Sequence, residues 1–288
     1  MSILQLGEYF AGRKRRVDDA LDARLPASEA EPVQVHEAIR YAVLNGGKRI
    51  RPVVALAVAD VAEQSPEPLL DAACALELAH TASLIFDDLP CMDDAQTRRG
   101  QPCAHVRFGK DVAVLAGIAL LAQAFEITAA NANALHRPEA AGPAVQLLAR
   151  ALGTRGLVGG QYLDLRYTHQ PLSLAQTEEV HHRKAGALFV AAVQIPAVLL
   201  GLGEREQAAL EQFARNTGLA FQITDDLLDE ADLTEDAGKT TFTTHLGRNG
   251  ARARVEALVQ EAIDALSPLG QRAEPLRRLA EYVQRRRN

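Results

Sequence analysis

The chain has 288 residues, and 48% of them are apolar, enough to build one large core. A formal net charge of −6 argues against non-specific nucleic-acid binding, although local cations and metals still allow an anionic ligand. The odd number of cysteines excludes a complete disulfide framework, so we expect a reducing, cytoplasmic environment; the three are Cys74, Cys91 and Cys103. Charges interrupt every apolar run before about 20 residues, so we predict no membrane insertion and no signal peptide.

Ala and Leu dominate the composition and Trp is absent, which favours helices over sheets. We predict an all-α fold in which residues 1–288 form a single large helical domain. The arginine-rich faces of the last two helices are interpreted as solvated surface. The predicted helices lie at about 1–25, 33–45, 53–62, 69–86, 111–134, 139–156, 159–165, 172–185, 186–200, 204–230, 252–266 and 276–287.

Three cations, Lys48, Arg49 and Arg51, lie on a tight turn that Gly46 and Gly47 open. One interpretation is a helix–turn–helix with incidental basic residues. The other is a diphosphate site in which guanidinium and ammonium groups supply the counter-charge without a metal. The acidic clusters elsewhere in the chain favour the second interpretation.

The first acidic cluster ends a long apolar helix. Asp87, Asp88, Asp93 and Asp94 fall within eight residues. Such crowding of carboxylates is unfavourable unless a hard cation neutralises them. Pro90 cannot continue the helix, so the chain should open near Asp88 and let Asp93 return toward Asp87.

Two further features lie close to this cluster. His80 stands seven residues before Asp87 on nearly the same helix face, and a core histidine or a functional one fits that position. Arg98 and Arg99 follow the cluster, and adjacent arginines can each serve a different anion.

The second acidic cluster closes the last long core helix. Asp225 and Asp229 are four residues apart, which places both carboxylates on one helix face together with Gln222. Lys239 follows in a polar loop that is not a Walker A loop, because the required strand and upstream glycine are missing.

Between the clusters, Lys184 stands at a helix interruption near Ala185 and is a further candidate phosphate ligand. Gln161 and Asp164 share a helix face beside glycines that permit close approach of a ligand or a backbone; a polar pair capping a core layer fits equally well. Two acidic clusters with cations around them predict a site for a magnesium-bound polyphosphate.

The order of these motifs resembles that of the trans-isoprenyl diphosphate synthases along nearly the whole chain. The wording of the first motif, Asp87-Asp88-Leu-Pro-Cys-Met-Asp93, is most similar to that of bacterial geranylgeranyl diphosphate synthases. The second motif reads Asp225-Asp226-Leu-Leu-Asp229. The resemblance implies long helices around a central cavity, the isoprenoid synthase type, and usually a homodimer.

The resemblance also implies a reaction, in which isopentenyl diphosphate condenses head to tail with an allylic diphosphate with the help of three Mg²⁺ ions. The implied metal ligands are Asp87, Asp93 and Asp225, with Asp88, Asp94 and Asp229 as further candidates. The implied allylic diphosphate ligands are Arg98, Lys184, Gln222 and Lys239, and Asp88 joins these and the metal ligands in the catalytic set. The implied isopentenyl diphosphate ligands are Lys48, Arg51, His80 and Arg99.

Three places depart from the family's common wording, and one of them is the spacer Ala95-Gln96-Thr97, where a more acidic or leucine-containing sequence is often seen. Ala185 replaces a threonine that often follows the lysine, and Ile118 stands where many relatives have an aspartate. We predict a twenty-carbon product from Ala82 and Ser83, which are small and lie roughly 6–8 Å upstream of Asp87 along the helix. In relatives that stop at fifteen carbons, an aromatic residue commonly matches Ala82.

Three alternatives stay open. The chain could be a farnesyl diphosphate synthase, a terpene cyclase that uses the same acidic motif, or a non-catalytic helical subunit. The cations at 46–51 argue against a cyclase, which does not bind isopentenyl diphosphate, and two intact acidic motifs argue against loss of activity.

Overall fold

The computed structural model describes residues 3–167, 170, 172–229 and 241–286, without the side chains of residues 3–5 and 229. It confirms the all-α prediction, and the described strands are two short ones in a single hairpin. The helices are α1 (Ile3–Arg24), α2 (Val33–Leu44), α3 (Ile50–Val61), α4 (Leu70–Asp87), α5 (Ala104–Phe108), α6 (Lys110–Ala134), α7 (Ala141–Leu152), α8 (Leu157–Tyr167), α9 (Leu174–His181), α10 (Ala187–Leu200), α11 (Glu204–Asp229), α12 (Phe242–Ala265) and α13 (Glu274–Arg285). The hairpin consists of β1 (Thr97–Arg98) and β2 (Gln101–Pro102).

The chain divides into two compact units. One contains Ala57–Gln64 and Gln146–Asn288, and the other contains Ser2–Leu56 and Ser65–Val145. The first acidic cluster belongs to the unit that contains Ser65–Val145, where α4 packs along α6. The second acidic cluster belongs to the unit that contains Gln146–Asn288, where α11 packs against α10 and α12. The assignment of the chain to a single domain stays a prediction.

The packing of α4 on α6 positions the end of α4. Asn131 of α6 accepts a hydrogen bond from the Ala72 backbone nitrogen at 3.1 Å and so satisfies a donor in the first turn of α4. At the other end, a Cβ on Gly117 of α6 would lie 2.6 Å from the ring of Phe86. Glycine therefore lets this ring, and Asp87 beside it, approach α6 closely.

The start of α12 was predicted about ten residues too late. Thr241 caps this helix in a reciprocal capping box with Thr244, so the helix begins at Phe242. The non-helical backbone of Gly247 (φ 65°, ψ 164°) lies inside the helix and hides its early start in the sequence pattern. The predicted helix at 139–156 is also shorter than expected, since α7 ends at Leu152, just before Gly153.

Three helical segments are long and apolar enough to cross a membrane by length and composition: Glu67–Asp87, Lys110–Ala134 and Leu174–Leu200. Packing explains the first and third, whose apolar windows are 67% buried inside the fold. The window of Lys110–Ala134 is only 39% buried, and Leu115 and Ile118 on this helix are exposed. The absence of membrane insertion stays a prediction.

Candidate active site

The first acidic cluster is shaped by the end of α4. The Asp88 backbone nitrogen still donates to the Leu84 carbonyl at 3.0 Å, but Pro90 stops the helical pattern. The chain then folds back, and the Asp93 nitrogen donates to the Asp87 carbonyl at 2.9 Å. The expected return of Asp93 to Asp87 is confirmed for the backbone, and the Asp87 side chain is partly exposed while that of Asp93 is exposed.

Asp88 faces a different way from its neighbour Asp87. It is buried, and the guanidinium of Arg98 donates to it through Nε, at 3.1 Å, and through Nη2. Burial alone would lower the pKa of Arg98, but the hydrogen bond and the charge of Asp88 raise it above its usual value. Burial and the same carboxylate raise the pKa of Cys103 to about 12. Asp88 therefore holds the hairpin against the end of α4, beside its candidate role at a metal.

The hairpin also reaches the cationic turn. Arg99 and Gly100 form its tip with φ values of 54° and 74°, as a tight two-residue hairpin turn requires. Arg99 donates to the Gly46 carbonyl, and Asn45 donates to the Arg98 carbonyl at 3.3 Å. A Cβ on Gly47, whose φ is 126°, would lie 2.8 Å from the Arg99 guanidinium, so only glycine leaves room for this contact.

Arg49 does not belong with the other two cations of this turn, and the sequence interpretation was wrong to group it with them. Its side chain is buried and donates to Glu77 at 2.6 Å and to Asp18 at 2.8 Å. These ion pairs fix the turn to α4 and α1. The exposed Lys48 and the partly exposed Arg51 remain as candidate ligands.

The sequence analysis did not single out Glu77, although its place in an apolar helix indicates a buried charge. A single glutamate in the apolar run of α4 is 2% exposed, and a buried carboxylate needs a counter-charge. That requirement pointed to a nearby buried arginine.

His80 lies in the positive field of these arginines. Burial lowers its pKa well below the usual value, and nearby guanidinium groups lower it further. His80 is therefore neutral at pH 7 and can donate or accept a hydrogen bond without adding charge. The guanidinium groups that act on it belong to Arg51, Arg99, Arg98 and Arg49.

Near the same helix end, Ala82 is fully buried and Ser83 is partly exposed, its hydroxyl donating to the His80 carbonyl at 2.7 Å.

In the unit that contains α11, the adjacent aspartates Asp225 and Asp226 of the second cluster have different partners. Asp225 pairs with Arg286. Asp226 accepts from the Phe242 nitrogen at 3.2 Å, which ties it to the start of α12, and from Gln222 at 3.3 Å. The side chain of Asp229 and all of Lys239 lie outside the described residues.

Lys184 lies in a π-helical turn, His182–Gly186, which joins α9 to α10 where the sequence predicted an interruption. Its ammonium group donates to Asp164 of α8 at 2.6 Å. Next to this pair, the buried side-chain amide of Gln161 has no hydrogen-bond partner among the described residues. The pairing of Asp164 with Lys184 differs from the expected partnership of Gln161 with Asp164.

No group of three His, Cys, Asp or Glu side chains among the described residues forms a ready-made metal site. The donor chemistry nevertheless fits magnesium, which prefers carboxylate oxygens and retains water ligands. Asp93 is exposed and Asp87 partly exposed, so both can accept a hydrated ion.

Comparison with known proteins identifies the family. A family model described as polyprenyl synthetase matches residues 32–245. The chain is 40% identical to geranylgeranyl pyrophosphate synthase 11, chloroplastic, of Arabidopsis thaliana, covering 100% of this chain and 84% of the relative. It is 39% identical to the heterodimeric geranylgeranyl pyrophosphate synthase large subunit 1, chloroplastic, of the same plant, covering 97% and 79%.

A solved crystal structure is also similar to this chain. An FPP/GFPP synthase from Zymomonas mobilis superposes with a TM-score of 0.90 at 36% identity, covering 98% of this chain and 99% of that one.

Proposed function

Since the chain belongs to the polyprenyl synthetase family, a family of prenyltransferases, we propose that it condenses isopentenyl diphosphate with an allylic diphosphate to give geranylgeranyl diphosphate. The relatives named geranylgeranyl pyrophosphate synthases support this product. The solved FPP/GFPP synthase keeps farnesyl diphosphate as the second candidate product.

One observation carries the proposal beyond family membership. Adjacent residues of one hairpin connect an acidic cluster to a cationic turn: Arg98 binds Asp88, and Arg99 binds the Gly46 carbonyl. A prenyltransferase needs two diphosphate sites side by side, one with metal and one with cations. This hairpin supports such a pair within a single unit, and a terpene cyclase has no use for the second site.

In the proposed mechanism, Asp87 and Asp93 would hold Mg²⁺ and Asp225 would hold a further ion; the bound metal would supply the positive charge that neutralises a leaving diphosphate. Loss of that diphosphate breaks the allylic C–O bond and leaves an allylic cation. The double bond of isopentenyl diphosphate then forms the new C–C bond, and loss of a proton restores a double bond.

The protein's own residues bind and orient both substrates. Lys48, Arg51 and Arg99 would hold isopentenyl diphosphate, with neutral His80 donating a hydrogen bond. Lys184, Arg98 and Gln222 would hold the allylic diphosphate, as would Lys239. The apolar surroundings of α4 would keep water from the cation.

Three finer statements belong to the proposal. We propose three Mg²⁺ ions per site, following the family resemblance. We propose a homodimer, supported by the exposed apolar residues Leu115 (53%) and Ile118 (54%) on α6; one relative is named as a subunit of a heterodimer. We propose a cytoplasmic location, supported by the three unpaired cysteines.

The test is incubation of the purified protein with isopentenyl diphosphate, Mg²⁺ and each allylic primer in turn, followed by chromatography of the products. A twenty-carbon diphosphate is the expected main product. A fifteen-carbon product would support the farnesyl alternative, cyclised hydrocarbons would support a cyclase, and no product with any primer would support a non-catalytic subunit.

A further inference from the structure

Arg286 folds back onto the second acidic cluster. It follows the last residue of α13 with an extended backbone (φ −64°, ψ 147°), yet its side chain is 0% exposed. Sequence reasoning treated this arginine-rich end as solvated surface, and no local pattern distinguishes Arg286 from Arg285, whose side chain is 64% exposed.

The guanidinium of Arg286 has few partners for a buried cation. Its Nη2 donates to the Asp225 carboxylate and, at 3.4 Å, to the Phe221 carbonyl. Its central carbon lies 3.9 Å from the ring centroid of Phe221. Its Nε and Nη1 are buried and have no hydrogen-bond partner among the described residues. Asp225 therefore supplies its counter-charge.

A metal ion at Asp225 would disturb this arrangement. A carboxylate oxygen that accepts from a guanidinium offers less electron density to a metal, and the guanidinium repels a dication. A buried cation that loses its counter-ion is strongly destabilised. Arg286 is the C-cap of α13 and its amide donates to the Tyr282 carbonyl, so withdrawal of this buried residue would open only the last turn of that helix.

We propose that Arg286 is a resident counter-ion of Asp225 that competes with the divalent metal, so that metal binding at Asp225 releases Arg286 from α11. This inference rests on the proposed function, because it takes Asp225 as a metal ligand. The proposal adds that metal binding at Asp225 changes the position of Arg286 at the end of α13.

The first test measures binding of Mn²⁺ without substrate, by the free-ion electron paramagnetic resonance signal, in three proteins: wild type, Arg286→Gln and Arg285→Gln. The second variant removes the same charge from an adjacent, exposed position. If the pair is closed about nine-tenths of the time, Arg286→Gln should tighten binding about tenfold. Arg285→Gln should bind as wild type does. Equal affinities for the two variants would overturn the proposal.

Asp225→Asn separates this proposal from the proposed function. If Asp225→Asn leaves Mn²⁺ binding unchanged in the wild-type and the Arg286→Gln backgrounds, the metal assignment itself is wrong. If Asp225→Asn weakens Mn²⁺ binding but Arg286→Gln does not tighten it, Asp225 binds metal and only the proposed competition with Arg286 is wrong.

A second readout uses wild-type protein, so it does not depend on how well a variant folds. The Arg286 amide donates to the Tyr282 carbonyl at 3.0 Å and should be protected from hydrogen exchange. Adding Mn²⁺ should speed exchange in a peptide covering residues 282–286 and leave the start of α13 unchanged. Unchanged or slower exchange in that peptide at saturating Mn²⁺ would contradict release.

Discussion

Gly160 of α8 and Lys184 of the π-helical turn are in backbone contact: a Cβ on Gly160 would lie 2.3 Å from the Lys184 nitrogen. The same two segments are joined by the ion pair between Lys184 and Asp164. The sequence analysis linked Gly160 to the close approach of a ligand or a backbone. In the structure the approaching group is the backbone of Lys184, so Gly160 determines the position of that residue.

Gly160→Ala should separate α8 from the π-helical turn and displace Lys184. We expect the free energy of unfolding to fall by about 1–3 kcal/mol, as for other overpacked sites. We also expect kcat to fall at least tenfold, because Lys184 would no longer meet the allylic diphosphate. Urea unfolding and steady-state kinetics measure the two effects. Gly142→Ala is the control, since a Cβ there meets nothing within 4 Å in helix α7. Equal behaviour of the two variants would rule out a special role for the contact.

Gly47→Ala should weaken the isopentenyl diphosphate site. The new methyl group would push the Arg99 guanidinium away from the Gly46 carbonyl, so KM for isopentenyl diphosphate should rise about tenfold or more while KM for the allylic substrate changes little. Gly46→Ala is the control, because its φ of 75° is also positive, although nearer the left-handed helical region that other residues adopt, and nothing lies within 4 Å of the new Cβ. A rise in both KM values, or the same rise in the control, would show backbone strain rather than loss of the Arg99 contact.

The periodicity of apolar residues and the positions of glycine and proline in the sequence predicted much of this fold. The all-α class follows from composition, and the return of Asp93 to Asp87 follows from Pro90, because both depend on short-range chain geometry. The interruption near Lys184 was predicted for the same reason.

The partners of charged residues were harder to predict, because they come from distant parts of the chain. Arg49 lies beside two candidate ligands in sequence, yet it pairs with Glu77, 28 residues away. Arg286 pairs with Asp225, 61 residues away. Periodicity contains no information on such pairs, and only the cost of burying an unpaired charge points to them.

Asp87 and Asp88 should respond differently to neutralisation. Asp87→Asn should lower kcat by orders of magnitude with little change in stability, because the proposed role of this partly exposed side chain is to bind metal. Asp88→Asn should lower the free energy of unfolding by about 2 kcal/mol, since Arg98 is left without its buried partner but keeps some exposure to solvent. Calorimetry and kinetics on both variants test this. Loss of stability in Asp87→Asn with near-normal turnover would contradict the assignment of roles.

Acid should destabilise the unit that contains α9. Burial lowers the pKa of His181 to about 4, from 6.5. Between pH 6.5 and 4 the unfolded chain therefore binds a proton that the folded chain does not, so stability is full above pH 6.5 and falls as the pH drops toward 4. Below about pH 4 this contribution stops changing. Urea unfolding at several pH values should show the slope, and His181→Gln should reduce it; a variant with an unchanged slope would exclude His181 as its source.

Ala82→Phe should shorten the product. Ala82 lies one turn before Asp87, so a phenyl ring there would fill the space that a twenty-carbon chain needs, and the main product should become farnesyl diphosphate. Ala82 is fully buried, so the ring must also find room within the fold. Ala75→Phe is the matched control: Ala75 is equally buried on α4 but about 10 Å further from the acidic cluster. If Ala82 borders a product cavity, Ala82→Phe should destabilise the protein less than Ala75→Phe while changing product length, as measured by chromatography. An unchanged product with a stability loss equal to that of the control would show that Ala82 packs in a closed core and that another residue limits product length.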